Sequence, residues 1–177
     1  MGENRYVRYL TVVRHAKSSP ADPGEPDFAR TLAKRGRREC EQLREWALDP
    51  RELGRFGPTT ALVSGAARTK ETFRRAFEGT AFVQRVEYSD AIYNGRHDVT
   101  AEDVLIELAS IDPVTTSLLV VGHSPTVQEL VLTLCTEVPE ALRADRYPLG
   151  GAFVLVLPDD VQIGRARYDV VASYVPL

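Results

Sequence analysis

At 177 residues, with 44% hydrophobic and 27% charged side chains, the chain is long enough to bury a sizeable core, and one domain over residues 1–177 is expected. A net charge of −3 gives no electrostatic ground for a nucleic-acid or anionic-membrane partner, and no apolar run approaches the roughly 20 residues of a membrane span. Residues 1–10 lack the apolar core of a secretion signal, and Cys40 and Cys135 are too few for a disulfide framework and sit in no metal-binding spacing, so a reduced, cytoplasmic setting is expected.

Arg8 to Arg14 reads as a strand, followed by a Pro/Gly/Asp-rich loop from Ser19 to Pro26. Thr31 is placed to cap a helix running to about Ala47, with Cys40, Leu43 and Trp46/Ala47 on its inner face and Gly36 weakening its first turn. A second strand spans Thr59 to Ser64. A helix over Ala66 to Phe77 carries Phe73, Ala76 and Phe77, and a short strand follows from Ala81 to Val86. Thr100 can cap a helix from Ala101 to Ser110. Ser117 to Val121 is an apolar strand, and Pro125 opens a helix to Cys135 with Val127, Leu130, Val131 and Leu134 inward. Ala152 to Leu157 and Tyr168 to Tyr174 close the chain as strands. Strands alternating with helices, then two strands in succession, predict an α/β/α sandwich around a mostly parallel sheet with an antiparallel edge.

The chemistry concentrates at strand ends. Two of the three histidines follow β-branched apolar runs, in Val12-Val13-Arg14-His15-Ala16 and Val120-Val121-Gly122-His123-Ser124. The carboxyl edge of an open α/β sheet is where ligands bind, so residues 108 positions apart can share one pocket. Arg68, in Ser64-Gly65-Ala66-Ala67-Arg68-Thr69, lies at a third such junction. Arginine binds phosphate through paired N–H groups, and histidine acts as nucleophile, acid or base near neutral pH. Two of each make a phosphate site that needs no metal or other cofactor, with helix N-termini after Gly65 and Ser124 as further donors.

The three segments, in this order, resemble the Arg-His-Gly, Ser-Pro-x-x-Arg-x-x-x-Thr and Gly-His motifs of the histidine phosphatase (phosphoglycerate mutase-like) superfamily. The Arg14-His15-Ala16-Lys17-Ser18-Ser19 variant and the Asp27-Phe28-Ala29-Arg30-Thr31-Leu32 segment are similar to the SixA-type phosphohistidine phosphatase branch. The resemblance extends from Tyr9 to Tyr174. It implies the phosphoglycerate mutase-like fold, with His15 attacking phosphorus and Arg14, Arg68 and His123 holding the phosphoryl oxygens. Lys17, Ser18 and Ser124 would be secondary substrate contacts. The arginines are expected to lower the pKa of His15 and keep it neutral.

Ala16 and Gly65 depart from the family's glycine and proline. Larger members carry a glutamate acid after the third strand; here Asp90 and Glu87 are the nearby carboxylates, and neither stands in an acid motif. A phosphohistidine leaving group needs little acid help, so this pattern favours a phosphorylated protein of the histidine phosphotransfer type, met as a monomer or weak dimer. A small phosphate ester is the alternative substrate, and a non-catalytic phosphate-binding module is the alternative class. His97 reads as a loop residue or, with Arg96, part of the pocket mouth. The basic run Lys34-Arg35-Gly36-Arg37-Arg38 reads as a solvated helix face, and Trp46 as core.

Overall fold

The computed structural model describes residues 7–95, 97–111, 117–143, 146–157 and 166–177. Six strands, β1 (Arg8–Arg14), β2 (Thr59–Ser64), β3 (Val83–Ser89), β4 (Ser117–Gly122), β5 (Ala152–Leu157) and β6 (Val170–Tyr174), form one sheet in the order β3-β2-β4-β1-β5-β6. The first four of that order run parallel; β5 is antiparallel to β1, and β6 is antiparallel to β5. The reversed strand is therefore β5, one in from the edge, and the edge strand β6 runs with β1.

Alternation along the strands separates two cores. Leu10, Val12, Leu62, Leu118, Val120, Phe153 and Leu155 face helices α3 (Ala101–Ile111) and α4 (Thr126–Leu134). Val13, Ala61, Val63, Leu119, Val121 and Val154 face α1 (Lys34–Leu48) and α2 (Ala67–Ala76). Burying each such leucine, valine or phenylalanine stabilises the fold by roughly 1.5–3 kcal/mol over leaving it exposed. A short helix, α5 (Glu140–Arg143), and 3-10 turns at Asp27–Ala29, Leu53–Phe56 and Asp90–Ile92 fill the connections.

Thr100 caps α3 in a reciprocal box: Asp103 N–H donates to Thr100 Oγ1 at 3.3 Å, and Thr100 N–H to Asp103 Oδ2 at 2.9 Å. Thr31 does not cap α1, which starts at Lys34 after Ala33. Its carbonyl accepts from Ser19 N–H at 2.9 Å and Leu32 bridges Ser18, so this stretch is extended instead. Strand β3 lies later than the apolar pattern suggests, because its parallel ladder with β2 continues to Ser64 opposite Ser89. Trp46 is half-buried rather than core. Its ring stacks on Tyr174 with centroids 5.2 Å apart, and its indole N–H reaches Glu52. In the basic run, Arg35 pairs with Glu39 and Arg37 with Glu71. No helix among the described residues is long and apolar enough to cross a membrane.

Candidate active site

Strand register brings the two histidines together. Arg14 lies opposite Gly122 across β1 and β4, so the next residue of each strand leaves the sheet at the same point, and His15 N–H donates to Gly122 O at 3.0 Å. The rings of His15 and His123 then stand with centroids 5.2 Å apart. On the other side of β4, β2 ends at Ser64, whose hydroxyl meets His123 Nε2 at 2.8 Å. Arg68 follows on the first turn of α2.

The backbone around His15 is braced by helix side chains. Ala16 N–H donates to Thr72 Oγ1 at 3.1 Å, and that hydroxyl donates to Arg68 O at 2.7 Å. Lys17 N–H donates to the buried Glu39 Oε2 at 2.8 Å, and Leu32 N–H to Glu71 Oε2 at 2.9 Å. A Cβ on Gly36 would stand 2.1 Å from Lys17 O. The glycine lets α1 lie directly against this loop, a closer constraint than helix propensity.

Both rings are buried, at 8% exposure for His15 and 4% for His123. His15 Nδ1 lies 2.8 Å from Ala16 O. A carbonyl only accepts, so Nδ1 carries the proton of the neutral ring and Nε2 keeps its lone pair. Burial, reinforced by the charges of Arg68, Arg14 and Arg30 and opposed by the bond to Ala16, pushes the His15 pKa down to about 3. Burial, with His15 and Arg68, pushes His123 down to about 2. The direction is the one expected for His15, but burial outweighs the arginines as its cause. At neutral pH both rings are uncharged, and His15 Nε2 carries a lone pair.

The arginines converge from three elements. Arg14 Nη1 donates to Tyr147 O at 2.6 Å, and the wholly buried Tyr147 ring ties that segment to β1 through a hydroxyl bond to Val12 O. Arg68 donates from Nη1 to Asp27 O at 2.7 Å and from Nη2 to Asp27 Oδ2 at 2.9 Å. Arg30 Nη2 meets Asp27 Oδ1 at 2.9 Å, and Tyr93 OH donates to Asp27 Oδ2 at 2.8 Å. Among the described residues, Arg14 Nε, Arg30 Nε, Arg68 Nε and His123 Nδ1 are buried without a hydrogen-bond partner. Buried donors left this way are costly unless an acceptor arrives. Three cationic groups gathered around the two imidazoles suit an anion with several oxygens, such as a phosphoryl group.

Arg14, His15, Arg68 and His123 are thus brought to one place. Lys17 is exposed and contributes its backbone to the brace; Ser18 is half-buried in its bridge to Leu32, and Ser124 is half-buried before the first turn of α4. Asp90 lies beyond the end of β3, its carboxylate so near Gly65 that a Cβ there would stand 1.7 Å from Oδ1. Glu87 does not join it: it pairs with Arg85 within edge strand β3, opposite Leu62 and two residues short of the sheet's carboxyl edge. His97 is exposed, and Arg96 lies outside the described residues. Reading the sequence missed Asp27, Arg30, Ser64, Thr72, Tyr93 and Tyr147. Asp27 and Arg30 stood in the segment that resembles the SixA-type branch, and Ser64 and Thr72 are the two ends of the Ser-Pro-x-x-Arg-x-x-x-Thr match, which were the available signals. Among the described residues, no group of three or more His, Cys, Asp and Glu is placed to hold a metal.

No family model matches the chain. An uncharacterized protein of Mycobacterium tuberculosis is 30% identical over 172 residues, covering 93% of this chain and 99% of that protein. The structure of a candidate phosphohistidine phosphatase SixA from Agrobacterium tumefaciens is 28% identical, with TM-score 0.73 over 96% of this chain and 99% of that one. Another such structure, from Nakamurella multipartitia, has the same fold at TM-score 0.76 and 22% identity, covering 97% and 98%.

Proposed function

We propose that this chain, a histidine phosphatase superfamily member by its likeness to the Agrobacterium tumefaciens structure, works as the SixA-type branch does and hydrolyses phosphohistidine on a partner protein. The His15 Nε2 lone pair attacks phosphorus as the bond from phosphorus to the substrate's imidazole nitrogen breaks. With its other nitrogen protonated, that imidazole leaves neutral. Water then attacks the phosphohistidine on His15 and releases phosphate, returning the electron pair to Nε2. Arg14, Arg30, Arg68 and His123 hold the phosphoryl oxygens, which is most of what phosphoryl transfer asks of a protein.

The observation that carries the choice of a phosphorus–nitrogen bond is the state of Asp27. Among the described residues it is the acid in contact with Arg30 and Arg68. Burial works against ionisation there, but the hydrogen bonds from Tyr93 and Arg68 and the charges of Arg68 and Arg30 together hold its carboxyl below the ordinary value. With both carboxylate oxygens taken up by Arg30, Arg68 and Tyr93 OH, Asp27 offers no proton to an alkoxide leaving group; an imidazole protonated on its other nitrogen needs none. The test is phosphate release from a phosphohistidine-bearing phosphotransfer protein beside equal concentrations of sugar and nucleotide monophosphates, with His15→Ala as blank. Preference for the phosphoprotein supports the proposal, and faster release from an ester overturns it.

The Asp90 carboxylate supports a second reading, a phosphatase of small esters. Gly65, where the family has proline, leaves room for that carboxylate beside the turn into α2. If Asp90 delivers the proton, Asp90→Asn lowers kcat on an alkyl phosphate at least tenfold and spares phosphoramidate, which carries its own nitrogen leaving group.

A further inference from the structure

We propose that Asp27 is a positioning residue for Arg68: its carboxylate and carbonyl occupy the Nη edge of the guanidinium and turn the Nε edge toward the phosphoryl group. The inference rests on the function proposed above and assigns a part to a residue outside the two histidine motifs.

Asp27 sits in the 3-10 turn Asp27–Ala29, on the loop that leaves the His15 strand and returns at α1. Arg68 comes from a different element, 41 residues on, and its side chain is 6% exposed against 49% for Asp27. The hold is two-pronged. Nη1 goes to the backbone carbonyl and Nη2 to the carboxylate, which fixes the plane of the guanidinium as a single bond would not. The carboxylate is itself held by Tyr93 OH through Oδ2 and by Arg30 through Oδ1. Tyr93 in turn packs edge-on against Phe28, the neighbour of Asp27, at 4.9 Å, and stands 5.5 Å from the His123 ring. The Arg68 edge left over is Nε, buried and without a partner among the described residues.

An alternative is that Asp27 mimics the phosphoryl group and must be displaced. The geometry argues against it, because one of the two bonds uses the Asp27 carbonyl, which a phosphoryl group does not replace, and because Nε is not engaged by Asp27 at all. Charge points the same way. Arg14, Arg30 and Arg68 bring three positive charges and Asp27 removes one, leaving two for a phosphoryl dianion.

The experiment is a double-mutant cycle of Asp27→Ala and Arg68→Ala, with Asp27→Glu as the conservative variant, read as kcat and KM on p-nitrophenyl phosphate and as orthovanadate binding by calorimetry. Displacement of Arg68 by about 1 Å costs on the order of 10²-fold, so Asp27→Ala is expected to lower kcat 10- to 100-fold with KM within about threefold. Asp27→Glu recovers most of that loss. In the Arg68→Ala background Asp27→Ala has little further effect, because both act through one group. Additive effects, or an Asp27→Ala enzyme with unchanged kcat and lowered KM, overturn the proposal; the second result makes Asp27 a competing anion. If the wild type neither turns over the ester or phosphoramidate nor binds vanadate, the proposed function fails and this inference falls with it.

Discussion

Replacing Gly36 by alanine is a severe test of how His15 is held. In an ordinary exposed helix the change is favourable by about 1 kcal/mol. Here the new Cβ would stand 2.1 Å from Lys17 O and 2.9 Å from Lys17 C and N. Side-chain carbons essentially never come within 3.0 Å of such atoms, so α1 and the His15–Lys17 loop must part by about 0.9 Å. The parting strains or breaks two hydrogen bonds, Ala33 N–H to Lys17 O at 2.9 Å and Lys17 N–H to the buried Glu39 at 2.8 Å. Overpacking costs about 1–3 kcal/mol and each lost bond about 1 kcal/mol, so after the propensity gain the net loss is about 2–4 kcal/mol. His15 lies two residues from the clash, and a displacement near 1 Å lowers kcat on the order of 10²-fold. Urea unfolding followed by Trp46 fluorescence gives the first quantity, and turnover of p-nitrophenyl phosphate gives the second. A Gly36→Ala protein with a raised unfolding midpoint and wild-type kcat would refute the reasoning.

Other outcomes follow from the same geometry. His15→Ala abolishes turnover and leaves the far-UV circular dichroism unchanged; residual wild-type activity removes His15 from the mechanism. Arg68→Ala lowers kcat/KM by on the order of 10² or more, as loss of a charge-stabilising donor does, and a loss under threefold contradicts its role. Both site histidines have folded pKa values, about 3 and about 2, below the unfolded value of 6.5. The unfolded state therefore binds more protons between those limits, and stability falls as pH drops from 6.5 toward 3. Urea midpoints at pH 7 and pH 4.5 check this: the drop should be smaller in His15→Asn than in the wild type, and equal drops contradict the burial argument. Turnover should survive EDTA and be blocked by orthovanadate, and strict dependence on an added divalent ion contradicts a site built on arginine and histidine.

The sheet was legible in the sequence wherever burial on both faces made the apolar run continuous. Strands β2, β4 and β5 are of this kind, and so is β1, which starts and stops at the residues its pattern suggests. Strand β3 was misplaced because an edge strand is defined by its ladder; the apolar alternation breaks at the charged Glu87, yet Glu87, Tyr88 and Ser89 all lie in it. The meeting of His15 and His123 was readable from two strand ends, but their adjacency needs β4 inserted between β1 and β2, which local pattern does not encode. Tyr93 was illegible for the same reason, and Asp27 was marked only by the segment it stands in: their loops reach Arg68 only once the sheet order has placed them. Gly36 was read as a weak point in a helix, when its missing side chain is what lets the helix touch the His15–Lys17 loop.

The most direct test of the central claim is to trap the covalent intermediate. The enzyme is mixed with ³²P-labelled phosphoramidate, quenched in alkali within milliseconds, digested and sequenced by mass spectrometry. Label that is stable to alkali, labile to acid, confined to the peptide bearing His15 and absent from His15→Ala is the predicted result. Turnover without any such label, or label carried on another residue, would contradict a histidine nucleophile at this site.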